Sequence, residues 1–586
     1  MPRLFSIAPI LLAAGVSIAI NAQTGTSIIA SFTGPATNEL PKNTREVEAS
    51  GSGTLAPYGA AALSMLLTVV DTDTASAQLT LSFSSGTTLI VNSIITASDA
   101  SITSNGGSIQ VSGTVTGTGT FANYTGTLNY TLAVVKDGSF TITGTGTIAL
   151  TQVFPHVAAD TTWQTDFVFF NTSSAPVSYT LALHPDSGTT IPIAGQGAVS
   201  QISGTVAANG TQFYTTDATA DSDGWAELQS SGPLNGVAVF HEATDQTSVL
   251  LSEPSTLFSV AFDSSPYTNA LAIANTDSTN TAAITCQAFD ESGNSLTGVL
   301  SSLSLAPLAH TAFLLPQTST RGQLFCRSTT SVSAVELRAV GSEFSTMPVE
   351  SPSAADPSES QSVQFFPHIA ADTMWQTDFF ILNTSTAPVN FTLTLHPDSG
   401  AGIPITGMGT ETQIAGTLAA NGMAFYSTDA TADSDGWAEL ESSAPLSGVA
   451  VFQETNDQTS VLLSTSGTSF AMPFDSTAPA SDPSTNYENG LAIANTDSAN
   501  PATITCQAYD STGTAIGGSL AGPTIPPLGH TAFLLQQTPP FSALPTDTRG
   551  QLVCTSTTAV SAVELRALGS QISTMPVVVS TAAEID

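Results

Sequence analysis

Charged residues are scarce: they make up 9% of the 586 residues, against roughly 25% in an ordinary soluble domain. Ser, Thr, Gly, Ala and Val replace them, a mixture that is poor for helices and suits strands joined by tight turns. Disorder would require low hydrophobicity together with dense charge, whereas 41% of this chain is apolar. The composition therefore predicts packed β-sheets, and the length predicts about three to five domains.

Basic residues are the scarcest charged group. Nine Lys and Arg stand against 46 Asp and Glu, which gives a formal charge of −37. Such a chain repels phosphate backbones and has no basic cluster to override the repulsion. We therefore exclude nucleic acid and anionic membrane as partners. The arginines of the two Val-Glu-Leu-Arg-Ala runs, Arg338 and Arg566, are predicted to pair with nearby carboxylates.

Long apolar runs are absent after the first 22 residues. Arg3 precedes an apolar stretch from Leu4 to Ile20, and Ala22 suits a cleavage position, a pattern typical of a secretory signal peptide over 1–22. An uncleaved anchor is the alternative. No later segment approaches the ~20 apolar residues of a membrane helix. We expect export to the periplasm or the cell exterior, without membrane insertion after cleavage, and a monomer.

Catalytic motifs are also missing. The nearest approach to Gly-x-Ser-x-Gly, Gly517 to Ala521, lacks the closing Gly. The chain contains no His-Glu-x-x-His, P-loop or dinucleotide-binding fingerprint. Carboxylates are plentiful, so a glycosidase pair stays open as an alternative. The sequence favours a protein that is not an enzyme.

Duplication dominates the rest of the chain. Thr216 to Leu228 recurs unchanged as Thr428 to Leu440, 212 positions later. A weaker repeat lies inside each copy: Asn171 to Gly188 resembles Asn275 to Gly293, and Gly224 to Phe240 aligns with Gly322 to Arg338 without gaps. We therefore divide the duplicated region into four modules, two per unit. The predicted boundaries are 153–252 (module 1), 257–349 (module 2), 365–465 (module 3) and 470–578 (module 4), with a Pro- and Ser-rich linker at 351–362 between the units.

Each module has the size and the short alternating strands of an immunoglobulin-like β-sandwich. Residues 23–150 differ, because Gly-Thr-Gly turns separate alternating runs. These runs predict an antiparallel meander or small barrel. The predicted fold is thus all-β, an N-terminal meander or barrel followed by four immunoglobulin-like sandwiches in two duplicated units.

Two resemblances accompany these patterns. Gly117-Thr-Gly-Thr-Phe121 and the Tyr-Thr-Gly that follows are similar to turns in bacterial barrels of the dirigent or allene-oxide-cyclase type, over one hairpin and with no activity implied. The Phe-Pro-His, Asn-Thr-Ser, Gly-Trp-Ala-Glu-Leu and His-Thr-Ala-Phe-Leu-Leu runs resemble a module that recurs in uncharacterised secreted proteins of environmental bacteria. That resemblance covers most of 153–577; it implies export and immunoglobulin-like sandwiches, and it brings no active site.

The four cysteines fall only in modules 2 and 4. The module alignment places Cys286 on Leu181 and Cys326 on Leu228, and likewise Cys506 on Leu393 and Cys554 on Leu440. We predict one disulfide between the two sheets of each even module, exchangeable for a Leu–Leu contact. Four buried free thiols are the alternative, and metal binding is disfavoured because no Cys-x-x-Cys spacing occurs.

An acidic turn followed by Trp is the best binding candidate. Carboxylates at alternate positions before Gly resemble part of a calcium loop, although the first and twelfth EF-hand positions would be Thr219 and Ser230. The alternatives are an ordinary acidic turn and, for the Trp that alternation places on the outward face of its strand, cover by the neighbouring module or a loop. The candidate residues are Asp217, Asp221 and Asp223 with Asp429, Asp433 and Asp435 for Ca²⁺, and Trp225 and Trp437 for stacking on a ligand.

The histidines recur as His156/His368, His184/His396 and His310/His530. Nothing in their spacing gathers them into a zinc site, so local hydrogen bonding is expected. Three functions follow. The first is a non-enzymatic secreted or cell-surface scaffold for structure or adhesion. The second is an extracellular carbohydrate-binding protein, Ca²⁺-assisted through the Asp/Trp turns, with a glycan or protein partner. The third is an enzyme.

Overall fold

The structure, a computed structural model, describes residues 25–580 with gaps. The predicted signal peptide 1–22, all of the linker 351–362 but its last residue, and Asp221 lie outside the described residues. The gaps are 36–45, 70–73, 85, 97–105, 136–138, 218–221, 243–244, 342, 348, 350–361, 432, 455–456 and 479–484.

The described chain is all-β, as predicted. In the part of the chain that is described, helical structure is limited to three single turns of 3-10 helix, at Gly119–Phe121, Leu535–Gln537 and Phe541–Ala543. The scarcity of good helix formers and the abundance of Thr and Val account for this class.

The N-terminal strands form a closed antiparallel barrel of eight strands, because the first strand pairs with both the second and the eighth. This confirms the predicted meander and selects the barrel. Its strands are β1 (Thr26–Pro35), β2 (Glu46–Ala56), β3 (Gly59–Val69), β4 (Thr74–Phe83), β5 (Thr88–Thr96), β6 (Gly106–Thr118), β7 (Tyr124–Val135) and β8 (Ser139–Val157).

Alternating side chains fill the barrel. In β4, Leu79 and Leu81 are buried while Gln78 faces solvent, which is the period-2 pattern of a half-buried strand. Tight curvature requires glycine at some positions: a Cβ on Gly126 would lie 2.0 Å from the carbonyl oxygen of Thr147 on the next strand. The barrel therefore has a packed apolar interior.

Strand β8 joins the barrel to module 1. Its first part closes the barrel against β1, and its last part pairs with a strand of module 1. The predicted boundary near residue 150 therefore falls inside a continuous strand. The side chain of Asn123 also donates to Glu253, directly after module 1, at 2.6 Å.

Modules 1 and 3 each consist of two four-stranded sheets and a small hairpin. In module 1 one sheet has the order β8-β15-β10-β13 and the other β14-β9-β16-β17. The module 1 strands after β8 are β9 (Gln164–Phe170), β10 (Val177–Pro185), β11 (Ile191–Ile193), β12 (Gly197–Val199), β13 (Gln201–Val206), β14 (Thr211–Thr215), β15 (Gly224–Ser230), β16 (Asn235–His241) and β17 (Gln246–Leu250). The module 3 strands are β26 (Ser362–Ile369), β27 (Gln376–Leu382), β28 (Val389–Pro397), β29 (Ile403–Ile405), β30 (Gly409–Glu411), β31 (Gln413–Leu418), β32 (Met423–Ser427), β33 (Gly436–Ser442), β34 (Ser447–Glu454) and β35 (Asp457–Leu462).

In modules 2 and 4 one long strand takes the place of two consecutive strands of the odd modules, which are β15 and β16 in module 1. The module 2 strands are β18 (Ser255–Phe262), β19 (Thr268–Asn275), β20 (Ala282–Asp290), β21 (Ser295–Leu296), β22 (Ser302–Leu305), β23 (His310–Leu314), β24 (Gly322–Val340) and β25 (Glu343–Met347). The module 4 strands are β36 (Gly467–Asp475), β37 (Glu488–Asn495), β38 (Ala502–Asp510), β39 (Ala515–Ile525), β40 (His530–Leu534), β41 (Arg549–Leu568), β42 (Gln571–Met575) and β43 (Val578–Ser580). The first half of β24 pairs with β18 and β20, and its second half with β19 and β25.

These pairings agree with the module alignment made from sequence. Strand β24 spans the positions aligned with β15 and β16, and it makes the equivalent pairings. The first and seventh main strands depart from the immunoglobulin arrangement, in which the first lies beside the second and the seventh beside the sixth. Here β8 pairs with β15, and β16 pairs with β9. The immunoglobulin-like assignment stays a prediction.

A buried asparagine marks the same point in every module. Each Asn side chain is fully buried and donates from Nδ2 to a carbonyl oxygen four or five residues ahead. Buried amides need such partners, which explains the Asn-Thr found at each position. The four residues are Asn171, Asn275, Asn383 and Asn495.

Both predicted disulfides are present, Cys286–Cys326 and Cys506–Cys554. Their predicted location between sheets is wrong. Cys286 lies directly opposite Cys326 on neighbouring strands of one sheet, with Cα atoms 4.1 Å apart. Leu181 and Leu228 occupy the same cross-strand position in module 1. The disulfide therefore replaces a contact between adjacent strands.

The four modules close into a ring through two kinds of junction. Modules 1–2 and 3–4, inside each unit, share a Trp and His junction; modules 2–3 and 4–1, between units, share an Arg junction. At the 4–1 junction Arg566 contacts Asp166 at 3.0 Å, 400 positions away in the sequence. Strands β17, β25, β35 and β42, one from each module, meet at the centre.

Candidate functional site

The tryptophans of the acidic turns lie in the junctions within units. Trp225 is fully buried, its indole N–H donates to the carbonyl of Leu308 at 3.1 Å, and His184 stacks on its ring at 4.1 Å. Trp437 repeats these contacts with Leu528. Both tryptophans are thus covered by the neighbouring module, the alternative to ligand stacking, and neither ring has a free face.

The acidic turns are occupied with backbone contacts. Asp223 accepts a hydrogen bond from the Ala159 amide at 2.7 Å, and Asp435 accepts one from the Ala371 amide at 2.8 Å. Burial raises the pKa of Asp435. Neither the turn of Asp217 and Asp223 nor that of Asp429, Asp433 and Asp435 brings three ligand atoms together within the described residues.

Two histidines per unit meet across the junction, which sequence spacing does not reveal. His156 Nδ1 lies 3.3 Å from His310 Nε2, and His310 Nδ1 lies 2.9 Å from Asp186. His368, His530 and Asp398 repeat the chain at 3.2 and 2.9 Å. Burial, with a smaller effect of His310, lowers the pKa of His156 to about 3.

The geometry of the three side chains limits their protonation states. The Asp186 carboxylate accepts the Nδ1 hydrogen of His310. A neutral His310 then accepts the Nδ1 hydrogen of His156 at Nε2, whereas a doubly protonated His310 donates from Nε2 to His156 Nδ1. A His–His–Asp chain of this kind can take up a proton if a reacting hydroxyl approaches. Sequence reasoning missed it because His156 and His310 are far apart in the chain; their parallel repetition was the available signal.

The same junction contains a cleft of about 170 Å³. Trp163 is half-buried there, and its ring meets that of Phe344 edge-to-face at 5.6 Å. Asp160 and Asp223 add carboxylates, and Thr247 is the hydroxyl side chain of the lining. The lining residues are His156, Ala158, Asp160, Trp163, Asp223, Phe240, Thr247, Leu337 and Phe344. In module 4 Ile572 stands where module 2 has Phe344, so the other unit lacks this aromatic ring.

Arg338 and Arg566 pair with carboxylates, as predicted. Arg338 is fully buried and binds Asp263 at 3.1 Å and Asp378 at 2.7 Å, and its guanidinium lies 3.5 Å from the Tyr267 ring centre. Arg321 binds the other oxygen of Asp263 at 2.7 Å. Two arginines thus balance two aspartates across the 2–3 junction.

The 4–1 junction repeats this cluster. Arg566 contacts Asp166 at 3.0 Å and Asp475 at 3.8 Å, and Arg549 contacts Asp475 at 3.0 Å. Burial alone would raise the pKa of Asp166, but His241 and Arg566 lower it below its usual range. His241 replaces Gln453 of the other junction, which is the main chemical difference between the two.

One group of carboxylates converges closely enough to hold a metal, among the residues that the structure describes. It consists of Asp245, Glu343 and Asp457 at the centre of the ring. Burial is the main cause that raises the pKa of Asp245 to about 7 and that of Asp457 to about 8. None of the three was a candidate from sequence.

No protein-family model, curated protein or solved structure matches the chain. In the described ranges we find no helix that is long and apolar enough to span a membrane.

Proposed function

We propose that the protein is a non-enzymatic scaffold of the periplasm or cell exterior, with a structural or adhesive role. The observation that carries the proposal is the closure of the four modules into one ring through buried, matched junctions. Domains of a mobile chain share small, polar interfaces. Here each junction instead buries a Trp or an Arg with its hydrogen-bond partners.

The compartment is supported by chemistry. Two disulfides indicate an oxidising environment, periplasmic or extracellular. Each closes a loop of 40 or 48 residues, and each is worth roughly 4 kcal/mol in the chain-entropy account. We also propose that the four modules are immunoglobulin-like sandwiches in which the first and seventh strands have exchanged sheets, a fold family frequent among surface proteins.

The charge narrows the partner class. With a formal charge of −37, the outer surface suits neutral glycans or basic proteins and disfavours nucleic acid. Arg338 and Arg566 are fully buried at the junctions between units, where they pair with carboxylates, so neither can contact an external partner. We therefore expect adhesion through hydrogen bonding and aromatic contacts.

An activity screen tests the non-enzymatic part of the proposal. The mature chain is incubated with ester, glycoside and peptide substrates, beside an Asp186→Asn/Asp398→Asn variant that removes the orienting carboxylate from both histidine chains. We expect no turnover by either protein. Turnover by the wild type that the double variant loses would contradict the proposal and identify the His–His–Asp chain as catalytic.

A surface-binding assay tests the adhesive part. Labelled mature protein is applied to insoluble polysaccharides and to immobilised basic proteins, and the retained fraction is measured at low and high salt. The proposal predicts retention on at least one surface. Failure to adhere to any surface, combined with a chain whose modules unfold independently, would contradict the scaffold role.

Glycan binding is the second candidate function. Because Trp225 is buried, the site that we propose for it is the cleft between modules 1 and 2. A half-exposed Trp163 beside Phe344, with the carboxylates of Asp160 and Asp223, offers a stacking face and hydrogen-bond acceptors. A glycan array with wild type and Trp163→Ala tests it, and Trp375→Ala in the other unit is the matched control. A signal lost only in Trp163→Ala would support the cleft; no wild-type signal would contradict it.

A further inference from the structure

The centre of the ring is built from one repeated strand. Asp-Gln-Thr-Ser occurs at Asp245 to Ser248 in module 1 and at Asp457 to Ser460 in module 3. The second strand of each pair comes from the following module: Phe344 donates its amide to Asp245 Oδ2 at 2.9 Å, and Ile572 donates its amide to Asp457 Oδ2. The two units are therefore related by an approximate twofold axis at this centre.

Further contacts follow the same axis. Gln246 donates to the carbonyl of Gln571 at 2.9 Å, and Gln458 donates to the carbonyl of Glu343 at 2.7 Å. Thr346 donates its amide to the Thr247 hydroxyl at 3.1 Å, as Thr574 does to Thr459 at 3.2 Å. The strands are thus held in fixed positions by all four modules.

Three carboxylates point into this centre. Ligand oxygens of Asp245, Glu343 and Asp457 all lie within 4.8 Å of one another. Asp245 and Asp457 are each 1% exposed, and in each the Oδ1 atom has no hydrogen-bond partner among the described residues. The Oδ2 atom of each accepts a hydrogen bond from a backbone amide of the following module, which directs Oδ1 toward the centre of the ring.

Buried carboxylates with unpaired oxygens need either a proton or a counter-charge. No Lys or Arg contact with Asp245 or Asp457 is recorded in the described chain. Two oxygens that bind the same Ca²⁺ at 2.3–2.6 Å lie at most about 5 Å apart, which the observed spacing satisfies. Mg²⁺ keeps several waters and demands octahedral geometry, so a buried set of three carboxylates suits Ca²⁺ better.

We propose that Asp245, Glu343 and Asp457 bind one Ca²⁺ ion that fastens modules 1, 2 and 3 together at the centre of the ring. The twofold counterpart of Glu343 is Gln571, which is uncharged but retains an oxygen of the same ligand type. Because Asp245 of the first unit and Asp457 of the second contribute to the same centre, the site occurs once per chain although the units are duplicated. The inference does not depend on the proposed scaffold function.

Calorimetric titration tests the site. The mature chain is treated with EDTA, dialysed and titrated with Ca²⁺, and with Mg²⁺ in a separate run. We expect one Ca²⁺ per chain and a higher melting temperature with Ca²⁺ than with EDTA. Asp457→Asn and Glu343→Gln should each weaken Ca²⁺ binding by more than about tenfold, since even outer-shell changes at metal sites cost that much.

The control is Asp433→Asn, in the exposed acidic turn that the sequence favoured, which should bind Ca²⁺ as the wild type does. The Asn variant at 457 should itself fold, because it removes a buried charge, and its melting temperature in EDTA should equal or exceed that of the wild type. Absence of Ca²⁺ heat in the wild type would overturn the proposal. So would binding that survives Asp457→Asn and disappears in Asp433→Asn.

Discussion

Single residues decide how the modules join. Trp225 and Trp437 are fully buried, and each donates a hydrogen bond into the next module. Both lie on the outward face of their strands, and what lies outward is a neighbouring module. Large buried aromatic side chains dominate interface energetics, so these two residues should stabilise the junctions within units.

Truncating the junction tryptophan should be severe. Trp225→Ala removes a fully buried indole and should lower the free energy of unfolding by about 3–5 kcal/mol, measured by guanidinium denaturation. Trp163→Ala, at a half-buried ring, is the control and should have a clearly smaller effect. Equal losses for the two variants would contradict the placement of Trp225 inside the junction.

Buried glutamates should make stability depend on pH. Burial raises the pKa of Glu336 and Glu564 well above the ordinary 4.5, and their oxygens have no hydrogen-bond partner in the described chain. The folded state therefore holds protons that the unfolded state releases above pH 4.5. The contribution of these protons to the free energy of unfolding is fully present below pH 4.5 and is lost as pH rises.

A double substitution measures that loss. Glu336→Gln/Glu564→Gln should flatten the fall in unfolding free energy between pH 5 and pH 8, by up to about 1.4 kcal/mol per pH unit and residue. The exposed Glu291→Gln is the control and should leave the slope unchanged. An unaltered slope in the double variant would show that both glutamates are ionised in the folded protein.

Residue-scale prediction from the sequence was uneven for physical reasons. The pairing of Arg338 and Arg566 could be predicted, because a buried cation in an acidic chain must find a carboxylate. The meeting of His156 with His310 could not, because no spacing rule connects two strands of different modules. The central carboxylates, Asp245 and Asp457, were equally hidden, since the repeated Asp-Gln-Thr-Ser does not reveal that its two copies meet in space.

At the scale of strands, alternation and alignment predicted most of the arrangement. The ungapped alignment of β15 and β16 with β24 corresponds to a real equivalence, in which a broken strand in module 1 is continuous in module 2. The location of the disulfides was mispredicted, because an inward-facing pair can lie between sheets or across one ladder. Only the register, Cys286 opposite Cys326, decides between the two.

The odd modules predict how the even ones tolerate loss of the disulfide. Cys286→Leu/Cys326→Leu reproduces the Leu181–Leu228 pair and should retain the native fold, with a loss below the roughly 4 kcal/mol expected for the cross-link alone. Cys286→Ser/Cys326→Ser buries two hydroxyls instead and should lose more. Chemical denaturation of both variants compares them; a Leu pair no better than the Ser pair would refute the equivalence.

At the scale of the whole molecule, the duplication produces a closed ring. Two units that follow one another in the sequence could have formed a linear array of independent modules, and nothing in the sequence distinguishes a linear array from a closed ring. Closure depends on contacts such as Arg566–Asp166, between residues 400 positions apart. The amide of Thr211 in module 1 likewise donates to the carbonyl of Ser511 in module 4 at 3.1 Å.

Cross-linking of module 1 to module 4 tests ring closure most directly. Thr205 and Thr512 are exposed and line one surface cleft between these modules, so Thr205→Cys/Thr512→Cys is treated with a short bis-maleimide. A protease site inserted in the linker 351–362 is then cut, and the product is resolved under denaturing conditions. Thr417→Cys/Ser292→Cys, the equivalent pair at the 2–3 junction, is the control. The closed ring predicts that both pairs keep the two halves covalently joined; halves that separate in the Thr205/Thr512 variant but not in the control would contradict it.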